Sequence, residues 1–107
     1  MAKTLFLSNH PDMSLAAIRF EVARFLAQAR EHVHDAQRTL AVGDDAEKIK
    51  AAGQLEFYRA QQAAFEARLA ELDRCPDNAL ENVIQGIRKE WLIQKEMFEE
   101  WSHGARL

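Results

Sequence analysis

Apolar positions along this chain recur at steps of three and four, the spacing that lines one side of an α-helix. Leu15, Ile18, Val22, Phe25, Leu26, Ala29, Val33, Ala36 and Leu40 fall on one stripe. Further on, Ala51, Leu55, Tyr58, Gln62, Phe65, Leu69 and Leu72 alternate steps of four and three, and so do Leu80, Ile84, Ile87, Trp91, Gln94, Phe98 and Trp101. Heptad spacing held this long is the signature of helices packed nearly parallel in axis.

Two short breaks divide the pattern. At Val42-Gly43-Asp44-Asp45, Gly43 suits the left-handed residue that follows many helix ends, and Asp44 with Glu47 reads as a capping box for the next helix. At Arg74-Cys75-Pro76-Asp77-Asn78, Pro76 stops a helix and Asn78 with Glu81 repeats the box pattern. Pro11 and Asp12 favour a first turn for the first helix, and Gly104 is a natural stop for the last. The expected elements are helices at about 12–41, 45–73 and 78–102, after an extended or irregular segment at 1–11. Matched lengths and short connections predict an all-α fold, an antiparallel up-down-up three-helix bundle in a single domain over 1–107.

A second apolar face extends this picture. Ala16, Phe20, Ala23 and Ala27 lie opposite the first stripe, and Ile49, Gly53, Ala60, Ala64 and Ala67 line a small-residue face of the second helix with Phe57 beside it. On the third helix, Ala79, Val83, Gly86, Ile93 and Met97 widen the apolar arc to about half the circumference, at 100° per residue, with Glu90 interrupting. Alanine is a good surface helix former and needs no partner. Phe20, Phe57, Ile93 and Met97 are harder to leave in water. With Gly86 as a point of close approach, they form the expected interface of a homodimer that completes the bundle.

Composition agrees with helices and narrows the chemistry. Four glycines and two prolines in 107 residues leave too few turns for an all-β fold. A net charge of −3, with arginines spread among carboxylates, lacks the basic stripe of a nucleic-acid binder. The one cysteine, Cys75, forms no internal disulfide and fits a reducing compartment. Leu5-Phe6-Leu7 is too short for a secretory h-region, and no window reaches the ~18 apolar residues of a membrane helix. The expectation is a cytoplasmic protein with neither a nucleic-acid nor a membrane partner.

Few residues suggest catalysis. Glu31 and His34 form a Glu-x-x-His pair of the kind used in carboxylate-bridged dimetal bundles. Such sites need a second pair, which only a dimer of this chain supplies, and both residues face away from the main stripe. The plain reading is a solvated face. Cys75 has no histidine placed by sequence to activate it. No phosphate-binding glycine loop or Cys-x-x-Cys occurs, and no cofactor is expected. Tyr58, Gln62 and Gln94 occupy stripe positions and read as a buried polar layer that fixes register. An antiparallel turn about Pro76 brings Tyr58 level with Gln94. Two functions remain: a non-enzymatic interaction protein (adaptor, assembly or chaperone-like factor) that self-associates and binds a protein partner, and a metal-binding bundle or metalloenzyme using Glu31 and His34 across a dimer.

Overall fold

The computed structural model describes residues 14–76 and 79–104, with side chains as far as Ser102. Three helices account for nearly all of it: α1 at Leu15–Val42, α2 at Asp45–Arg74 and α3 at Glu81–Gly104. No strand occurs among the described residues. The fold is all-helical. The expected irregular segment at 1–11 lies outside the described residues.

Local chemistry explains where α1 and α2 start. Ser14 caps α1: its Oγ accepts from the Ala17 N–H at 3.1 Å and its carbonyl from the Ile18 N–H at 2.9 Å. The α2 capping box forms in full. Asp44 Oδ1 accepts from the Glu47 N–H at 2.8 Å, and Glu47 Oε1 accepts from the Asp44 N–H at 2.9 Å. The start of α3 differs from expectation. It begins at Glu81, three residues after the expected start, so Leu80 occupies the cap position. The Leu80 carbonyl accepts from the N–H groups of Val83 and Ile84, while its apolar side chain is exposed and offers the helix end no acceptor. Asn78 lies outside the described residues.

The break at Gly43 holds, but for a different reason from the one expected. No glycine among the described residues has a positive φ, so Gly43 is not in the left-handed region. Its N–H donates to the Thr39 carbonyl at 2.7 Å. A Cβ there would stand 2.7 Å from the same oxygen and about 3.0–3.1 Å from the Glu47 side chain. Glycine is required by close approach.

The described residues form two compact units, one from residues 22–70 and the other from 14–21 with 71–76 and 79–104. In the first, α1 and α2 pack through their main stripes. Phe25 meets Phe65 edge to face at 6.1 Å, Arg30 pairs with Glu66 at 3.2 Å, and His32 stacks on Tyr58 at 4.3 Å. Val22, Leu26, Ala29, Ala36 and Ala51 are buried in this unit. In the second, Ile18, Leu72, Ile87, Trp91 and Phe98 are buried. Arg19 closes the end of α2 there: its guanidinium donates to the Leu72 carbonyl at 2.9 Å and to Asp73 at 3.2 Å. A cation at that end satisfies an orphan carbonyl and complements the helix dipole.

Candidate functional site

The outward faces contain the residues that the sequence marks for an interface. On α1, Phe20 is 70% exposed, and Ala16, Ala23 and Ala27 around it are exposed as well. On α3, Ile93 and Met97 are 55% and 56% exposed, with Val83 and Gly86 exposed on the same side. Phe57 differs. It is half-buried, its ring set edge-on to Tyr58 at 5.2 Å. A Cβ built on Gly53 or Gly86 meets nothing within 4 Å, so packing within the chain does not require glycine at either position.

Why α3 leaves these residues outside follows from which edge of its stripe turns inward. Beyond Ile87, Trp91 and Phe98, the buried face takes in Arg88 and Ser102 and half-buries Lys95. Arg88 is four after Ile84 and three before Trp91, and Lys95 is four after Trp91 and three before Phe98. Both therefore flank the stripe on the side opposite Val83, Ile93 and Met97. The helix buries its polar flank and exposes its apolar one.

Burying that flank uses specific polar contacts. Glu21 Oε1 accepts from Trp91 Nε1 at 2.9 Å and from Lys95 Nζ at 3.3 Å, and its Oε2 lies 3.3 Å from the same ammonium. The Glu21 and Lys95 side chains are only 18% and 17% exposed. Arg88 reaches Glu81 at 3.6 Å. A carboxylate serving an indole N–H and an ammonium together fixes the rotation of α3 against the start of α1.

The expected polar layer is uneven. Tyr58 is buried, whereas Gln62 and Gln94 are half-buried. Gln62 donates to Glu66 at 3.4 Å, one turn along α2. Tyr58 belongs to the 22–70 unit and Gln94 to the other. Glu31 and His34 are both exposed on α1, while His32 between them turns inward onto Tyr58. Among the described residues, no three His, Cys, Asp or Glu side chains gather as a metal site. Cys75 is half-buried in the connection between α2 and α3. No helix among the described residues is long and apolar enough to cross a membrane.

No family model, curated protein or solved structure matches the chain.

Proposed function

We propose that this protein is a non-enzymatic helical interaction factor that acts as a homodimer and uses its outer helix faces to bind. In this reading the three helices run antiparallel, up-down-up, and a second copy completes the bundle. The observation that carries it is the exposure of Phe20, Ile93 and Met97, each more than half in water. Large apolar side chains gathered on a helix face mark an interaction surface or an aggregation hazard. Closed two-fold symmetry satisfies such a face most simply. A single half-buried thiol and the absence of a spanning helix among the described residues support a cytoplasmic setting.

Light scattering on the purified chain tests the reading and should give about twice 12.3 kDa. Ile93→Glu with Met97→Glu should halve the mass while the helical circular dichroism stays unchanged, because neither side chain belongs to the core. A wild-type mass of one chain at micromolar concentration rejects the reading.

A further inference from the structure

We infer that α3 pairs with α3 of a second copy, antiparallel across the two-fold axis, with Met97 of each chain seated over Gly86 of the other and Lys89 of each beside the partner's Glu96. The inference rests on the self-association proposed above and specifies its geometry. Ala79, Val83, Gly86, Glu90, Ile93, Met97 and Glu100 alternate steps of four and three along the outer face of α3. They thus repeat the heptad spacing of a helix-pairing stripe. Five of the seven are apolar or glycine, and all but Ala79 are exposed.

Antiparallel heptads pack the Val83, Glu90 and Met97 series of one helix against the Ala79, Gly86, Ile93 and Glu100 series of the other. Three registers give long overlap along Glu81–Gly104. One sets Glu90 against the partner's Gly86, and its flanking positions bring Lys89 onto the partner's Lys89. Another sets Met97 against the partner's Ile93, and its flanking positions bring Glu96 onto the partner's Glu96. The third sets Met97 against the partner's Gly86 and Ile93 against the partner's Glu90. Its flanking positions pair Lys89 with the partner's Glu96, once on each side of the axis. A parallel pairing would stack Glu90 on itself. Charge therefore selects the third register.

Side-chain size agrees. Met97 is the longest apolar side chain on the stripe and Gly86 has none. A Cβ on Gly86 meets nothing within 4 Å in its own chain, so the position leaves an open notch on the helix surface. Methionine adapts to irregular gaps of this kind. Lys89 and Glu96 are both exposed, so neither contributes to the chain's own core.

Charge reversal tests the register in the full-length chain. Lys89→Glu turns both cross-axis attractions into repulsions, and so does Glu96→Lys. Each should weaken dimerisation about tenfold in sedimentation velocity titrations, and the double reversal should return it to within about threefold of wild type. A dimer indifferent to all three changes overturns this register while leaving self-association standing. A wild-type chain that stays monomeric overturns both. Circular dichroism on each variant confirms the helices, since a folding defect would not be rescued by the second reversal.

Discussion

Gly43 shows how a glycine at a helix end can be required by close approach rather than by backbone conformation. With φ outside the left-handed region and the Thr39 oxygen 2.7 Å from where a Cβ would stand, any side chain collides with backbone. Gly43→Ala should cost about 1 kcal/mol or more in denaturant unfolding. Gly43→Asn should cost at least as much. Asparagine tolerates the left-handed region, so a mild Asn variant beside a damaging Ala variant would restore the conformational explanation and contradict the steric one. Glu21 shows a different dependence, with Trp91 and Lys95 both donating to one carboxylate. Glu21→Ala removes that acceptor at a site less than a fifth exposed and should destabilise by about 1–3 kcal/mol. Glu21→Gln keeps an oxygen for the indole but loses the charge opposite Lys95, and should fall between. A loss below about 0.5 kcal/mol for Glu21→Ala would show that the cluster does not hold α3 in place.

The helices were largely legible as elements, because their stripes and most of their ends are set by local chemistry. Every residue of the three main stripes is buried or half-buried except Leu80. Leu80 is exposed because α3 starts only after it. The Asp44–Glu47 box was readable because it needs only two side chains at a fixed spacing; the later start of α3 was not readable from its neighbours. Leu80→Asp supplies the missing acceptor and should raise stability by about 1 kcal/mol in thermal or denaturant melts. No gain would mean that the end is satisfied already. Gly53 sits in the interior of α2 with open space above it, so Gly53→Ala should stabilise by about 0.5–1 kcal/mol through helix propensity alone. A loss of stability there would reveal a close neighbour on that face. The polar flank was the least legible part. Glu21, His32, Arg88 and Lys95 all stand three or four residues from stripe positions. Spacing marks them as core-adjacent, yet their polarity hides it until their partners are known. Trp91 on Glu21 and His32 on Tyr58 pair residues far apart in sequence, and single-helix periodicity carries no information about such pairs.

At the scale of the whole molecule, the inward turn of α3 is decisive. Had the helix rotated to bury Ile93 and Met97, Arg88 and Lys95 would face water and α3 would offer no apolar face for association. Their observed places are the reverse, with Arg88 buried and Ile93 and Met97 more than half exposed. An outer stripe of this kind raises the free energy of an isolated chain, and mass action then makes assembly depend on concentration. Sedimentation equilibrium of the wild-type chain, followed by dilution from micromolar to nanomolar, addresses that claim most directly. A self-associating chain gives a mass of about twice 12.3 kDa at the concentrated end, falling reversibly towards one chain on dilution. A mass of one chain throughout the series would contradict it.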